Sequence, residues 1–182
     1  WVIYDWLKSA AEALERGAIS PSQGDTAIDW CTEEYFGLSQ IGRPDLLHSM
    51  MLSRVLKLGK NWPRLLGFSR WWGPPSNFRP EDMEPFVTKQ GKQLPSLERR
   101  LTYAVARALT RPNESLERAH VAWGEEYFQN CLTKAPDDQW LRYYQSKLLL
   151  MRGDEIGARE TLVPVVRRQR NASWAWALLG EI

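Results

Sequence analysis

Read for its apolar positions, the chain alternates between stretches with helical spacing and short breaks rich in Gly and Pro. Val2, Trp6, Ala10 and Leu14 recur at steps of four, which predicts a helix over 1–16 with Gly17 as its stop. Residues 18–24 read as a turn around Pro21 and Gly24. Asp25 or Thr26 then caps a second helix through Gln40, with Ile28, Cys31, Tyr35 and Leu38 facing inward. Gly42-Arg43-Pro44 breaks it. A third helix over 44–58 carries Leu46, Leu47, Met50, Met51 and Leu58, and Gly59 follows as its C-terminal cap. Asn61 caps a fourth, from Trp62 to Trp72, with Pro63 in its first turn.

The helical pattern fails over the 23 residues from Gly73 to Pro95, which include Pro74, Pro75, Pro80, Pro85 and Gly91. Loops of that length inside a domain are either functional or disordered. Trp71, Trp72, Phe78, Met83 and Phe86 supply apolar anchors, so the expectation is a pinned excursion with one helical turn near Pro80–Met83. It would cover the seam between the first helices and the later ones. Ser96 then caps a helix whose stripe is Leu97, Leu101, Ala104, Val105, Ala108 and Leu109, closed by Arg111-Pro112. The next runs over 114–134 with Leu116, Val121, Tyr127, Phe128, Cys131 and Leu132 inward, and three more follow over 137–151, 155–168 and 172 onward. No stretch reads as a strand. The organisation is an N-terminal helical part (1–72), a long loop (73–95) and a C-terminal helical part (96–182) of one helical domain.

The C-terminal part repeats. Trp140 and Trp174 are 34 residues apart, and so are Ser146 and Gly180. Gly153 falls in the turn between two paired helices, Ala158 is a small residue where the second crosses the first, and Leu162 is the larger one a turn later. One period earlier stand Gly124 and Phe128, and Pro136 ends that helix. The period and the residue sizes are similar to those of the tetratricopeptide repeat. That resemblance implies an all-α fold of stacked antiparallel helix pairs, an α solenoid with one long proline-containing loop, in which each pair buries its apolar face against its neighbours.

Composition adds that 43% of the residues are hydrophobic and ten are Trp, enough for a core. No initiator Met precedes Trp1, so the chain reads as an excerpt of a longer protein. No apolar run reaches the ~20 residues that span a bilayer. Cys31 and Cys131 read as buried small hydrophobes in a reducing, cytoplasmic setting, and His48 and His120 have no ligand-spaced neighbours, so no metal or cofactor is expected. The net charge of +2 is uneven: residues 1–53 balance at −5 and residues 54–100 at +6. Two solvated faces that complement each other account for this better than a partner surface does.

Candidate chemistry is sparse. There is no phosphate-cradling glycine motif and no nucleophile–base set, and the pairs Glu33-Glu34 and Glu125-Glu126 are sequential, so each has a solvent-facing member. The expectation is no enzyme. Trp140, Tyr143 and Lys147 lie on consecutive turns of one helix and form a candidate surface for a protein partner. As an alternative, the basic and aromatic tract with Lys57, Lys60, Arg64, Arg70 and Arg79 could neutralise phosphates and stack bases of RNA or DNA.

The order Leu58-Gly59, Trp62, Trp71-Trp72-Gly73, Asn77-Phe78-Arg79, Glu81-Asp82, Gly91-Lys92 and Pro95-Ser96-Leu97 resembles a helical-repeat region of bacterial proteins linked to TOTE conflict systems, where it often precedes cold-shock-like RNA-binding domains. The opening WVIYDWLK and the late VVRRQRNASWAWALLGEI resemble its flanks. The resemblance implies a scaffold in a defence-type assembly acting near nucleic acid, and it brings no catalytic residues with it.

Overall fold

The computed structural model describes residues 1–38, 43–87, 91–111 and 117–182. Among them run nine α-helices: α1 (Val2–Glu15), α2 (Pro21–Leu38), α3 (Leu46–Leu58), α4 (Leu65–Trp72), α5 (Leu97–Leu109), α6 (Arg118–Lys134), α7 (Gln139–Met151), α8 (Glu155–Arg168) and α9 (Ser173–Glu181). The chain divides into two compact units, Trp1–Ala104 and Val105–Ile182. The cut falls inside α5, whose first half belongs with the helices before it: Arg100 donates to the hydroxyl and the carbonyl of Ser53 on α3.

In the first unit α1 buries Tyr4, Leu7 and Ala11, not the expected Val2 and Trp6, which are 73% and 60% exposed. α2 starts earlier than expected. Ser20-Pro21-Ser22-Gln23 is no simple turn but a capping box: the Gln23 amide donates to Ser20 Oγ and the Ser20 amide to Gln23 Oε1, with Pro21 opening the helix. Ile28, Cys31 and Tyr35 are buried as expected, while Leu38 is exposed and Gln40 lies outside the described residues. Asp45, not Pro44, begins α3, accepting from the His48 amide, and this leaves Leu46 exposed. α4 begins three residues after Trp62. Trp62 instead packs in the preceding turn, its Nε1–H donating to Asp29. A Cβ on Gly59 would come within 2.9 Å of the Val55 carbonyl, so the α3–α4 corner requires glycine by close approach.

The excursion from Gly73 is pinned, as its aromatics predict, but by fewer of them. Trp72 and Phe78 are buried against each other, ring centroids 4.8 Å apart, while Met83 and Phe86 are exposed. Polar groups do the rest. Asp82, at the end of a 3-10 turn over Pro80–Met83, accepts from Ser49 Oγ (2.5 Å), the Arg79 amide (3.0 Å) and the Arg79 guanidinium (3.1 Å). The expectation of no strand is corrected here: β1 (Phe86–Val87) and β2 (Gln93–Leu94) pair antiparallel. Two-residue strands are too short to show a period of two, which is why the pattern hid them.

The helices from α5 onward follow the expected boundaries closely. Ser96 caps α5 through the Arg99 amide, and the whole predicted stripe of α5 is buried. α6 begins at Arg118, later than expected, and Leu116 lies outside the described residues. Asp138 caps α7 and Asp154 caps α8, with Gly153 at φ 79° in the turn between them, a conformation that glycine adopts without strain. Ser146 bonds to Ala158 and, further out, Gln139 to Gln169 and Asp137 to Arg168. These pairs are mirrored about the turn, so α7 and α8 form an antiparallel hairpin. Ser146 and Ala158 are fully buried where they cross, whereas Gly180, the period partner of Ser146, is exposed.

Candidate functional site

The candidate surface is built on α7 and α9. Trp140 is held at the start of α7, where its amide donates to the capping carboxylate of Asp138 (2.9 Å). Tyr143 and Lys147 follow at helical spacing, so the three side chains form one stripe. The Trp140 and Tyr143 rings meet edge-on at 6.3 Å, and the Lys147 ammonium lies 5.9 Å from the Tyr143 ring. The structure thus brings together all three sequence-predicted residues.

It adds a fourth. Trp174, at the start of α9, stacks on Trp140 at 4.5 Å and meets Tyr143 edge-on at 5.0 Å. Trp174 stands 34 residues after Trp140 in the sequence. Tyr143 and Trp174 pack against a buried floor of Leu162, Val165, Val166, Ala175 and Leu178. Trp140 remains 39% exposed and Tyr143 and Trp174 are half-buried. Burial raises the Tyr143 phenol above its ordinary pKa, and the Glu181 carboxylate adds to the rise. The phenol is therefore a neutral hydrogen-bonding group, and the surface can offer two indole faces, one hydroxyl and one cation.

The basic tract is placed differently. Lys57 pairs with Glu15 at 2.7 Å, and Arg64 with both Asp29 (3.2 Å) and Glu33 (2.9 Å). Arg79 is committed to Asp82 and Ser49 beneath the pinned loop. Lys60 and Arg70 are exposed on the surface. Exposed ion pairs like the first two are worth about 0–1 kcal/mol each, so they matter less for stability than for neutralisation. The acidic stretch and the basic stretch meet, which spends much of the cationic charge a phosphate backbone would require.

Between α6 and α7 lies an open groove of about 290 Å³, with Ala122, Leu148 and Leu149 at its apolar side, Gln129 and Gln145 at its polar side, and a Glu125–Arg152 ion pair at one end. Among the described residues no three His, Cys, Asp or Glu side chains gather as metal ligands, and no helix is long and apolar enough to cross a membrane.

A family model described as a domain of unknown function, DUF7017, matches residues 139–182, which run from the first residue of α7 through α9 to Ile182. No curated protein and no solved structure matches the chain.

Proposed function

We propose that this chain is a non-catalytic helical-repeat scaffold that holds a protein partner on the α7–α9 aromatic surface. One observation carries the reading: four side chains from α7 and α9, Trp140, Tyr143, Lys147 and Trp174, form a single cluster that rests through Tyr143 and Trp174 on a buried apolar floor and that solvent still reaches. Aromatic groups that are half-desolvated before binding lose little side-chain entropy on docking, and for that reason they dominate interface energetics. The family match over residues 139–182, which include both helices of the surface, supports the view that this portion is a unit with its own role. The resemblance of the middle of the chain to conflict-system proteins supports a defence-type assembly. Cys31 and Cys131, which form no disulfide with each other, support a cytoplasmic setting.

The test is co-purification of the full-length protein with its partners, comparing the natural sequence with Tyr143→Ala and Lys147→Glu. Both variants are expected to lose the partner, Lys147→Glu at an unchanged melting temperature and Tyr143→Ala beyond what its loss of packing against the core explains. An unchanged partner list at unchanged stability removes this surface from the account. Binding that survives both variants but collapses over a modest rise in salt assigns the activity to nucleic acid and the Lys60–Arg70 surface instead.

A further inference from the structure

Trp6 on α1 and Trp30 on α2 are 60% and 45% exposed, yet their rings are in contact, centroids 5.2 Å apart and planes inclined at 51°. The helices that carry them are fixed by buried Leu7, Ala11 and Ile28, so the pair is a preformed feature of the first unit. Glu34 lies one turn beyond Trp30 on the same face of α2 and is exposed. Neighbouring Asp29 and Glu33 are already engaged with Arg64, but the stretch 1–53 still carries a balance of −5.

An apolar partner that covers the indoles would also desolvate the Glu34 carboxylate, at a cost. A guanidinium or ammonium group meets both demands at once: the ring faces attract it and the carboxylate holds it by charge. The first unit uses the same chemistry internally, with Arg43 over Trp71 at 4.4 Å and Arg54 over Tyr4 at 5.6 Å. We propose that Trp6 and Trp30, with Glu34 beside them, dock an arginine- or lysine-bearing segment of a partner protein. This surface shares no residue with the α7–α9 cluster.

The experiment titrates the full chain with a short peptide of alternating Arg and Gly, and with its Glu-Gly counterpart, while following the indole N–H resonances by NMR. The signals of Trp6 and Trp30 are assigned by their loss in Trp6→Ala and Trp30→Ala. Both resonances are expected to shift with the arginine peptide, and each Ala variant to weaken binding by about tenfold. Glu34→Lys, a change at an exposed site, is expected to weaken it by a similar factor with the fold intact, and it keeps the proposal testable if a Trp variant unfolds. Tyr143→Ala is expected to change nothing. Equal binding of the two peptides, or undiminished binding by Trp6→Ala and Glu34→Lys, overturns the proposal. So does a self-association in sedimentation that Trp6→Ala abolishes, because the occupant is then a second copy of this chain.

Discussion

His48 and Trp72 exchange two hydrogen bonds across stacked rings. His48 Nε2–H donates to the Trp72 carbonyl at 3.1 Å, and Trp72 Nε1–H donates to the His48 carbonyl at 3.2 Å, with ring centroids 4.6 Å apart and planes within 5°. Because Nε2 carries the proton, Nδ1 accepts from the Tyr35 hydroxyl at 2.9 Å. One neutral imidazole therefore ties α2, α3 and α4 together with every polar atom used.

Burial holds that imidazole neutral, lowering its pKa from 6.5 to about 4, and pushes the Tyr35 phenol up to about 12. His48 is easier to protonate in the unfolded chain, so acid favours unfolding. Its contribution is complete above pH 6.5 and is withdrawn as pH falls toward 4, by an amount on the order of 3 kcal/mol. Denaturant unfolding followed between pH 7 and pH 4 is expected to show this slope, and His48→Gln to flatten it while lowering stability at neutral pH.

Asp82 is the pin of the long loop. It is 6% exposed and accepts from Ser49, the Arg79 amide and the Arg79 guanidinium. Asp82→Ala leaves buried donors without an acceptor and is expected to cost about 2–4 kcal/mol. The readout is local: trypsin is expected to cut after Arg79 or Lys92 much faster in the variant, at a temperature where the helices still give their full circular dichroism. Equal nicking of the two proteins would show that the Trp72–Phe78 contact holds the loop alone.

The parts of this fold legible in the sequence are those fixed by local chemistry. Gly153 marks the turn between α7 and α8 because turn chemistry acts within a few residues, and the α5 stripe shows because its buried positions keep the helical period. The phase of α1 was misread for a geometric reason. Steps of four drift by roughly 40° each on a helix of 3.6 residues per turn, so Val2, Trp6, Ala10 and Leu14 wind around the surface, whereas Tyr4, Leu7 and Ala11 stay on one side. His48 gave no signal, since its partners Tyr35 and Trp72 are 13 and 24 residues away and only packing brings them together. In the candidate site, the α7 stripe could be read from spacing, but the role of Trp174 required two helices to be seen side by side.

The α7–α8 crossing sets a size limit. Ser146 Oγ–H donates to the Ala158 carbonyl at 2.8 Å and both residues are fully buried. Ser146→Ala removes one hydrogen bond and is expected to cost about 1 kcal/mol. Ala158→Leu inserts a side chain where two helices touch and is expected to cost about 3 kcal/mol or more, beyond ordinary overpacking because the backbones must part. Thermal unfolding of the two variants measures the difference, and similar losses would mean that the hairpin has room to adjust.

Stability and binding should separate within the aromatic cluster. Trp174 touches both Trp140 and Tyr143 and packs against the floor of Leu162, Val165 and Leu178, so it is the structural centre. Trp174→Ala is expected to cost about 3 kcal/mol, the lower end of the range for removing a buried indole. Trp140 stacks on Trp174 through one face and is 39% exposed, so Trp140→Ala is expected to cost only about 1–2 kcal/mol. Tyr143→Ala falls between them in contact but leaves the Trp140–Trp174 stack in place. The order of losses is therefore Trp174, then Tyr143 or Trp140, measured by denaturant unfolding of each variant. If Trp140 and Tyr143 serve as docking residues, each truncation should also weaken partner binding by ~2 kcal/mol, in excess of what its effect on folding explains. A variant whose binding falls only in proportion to its unfolded fraction would identify that residue as packing alone.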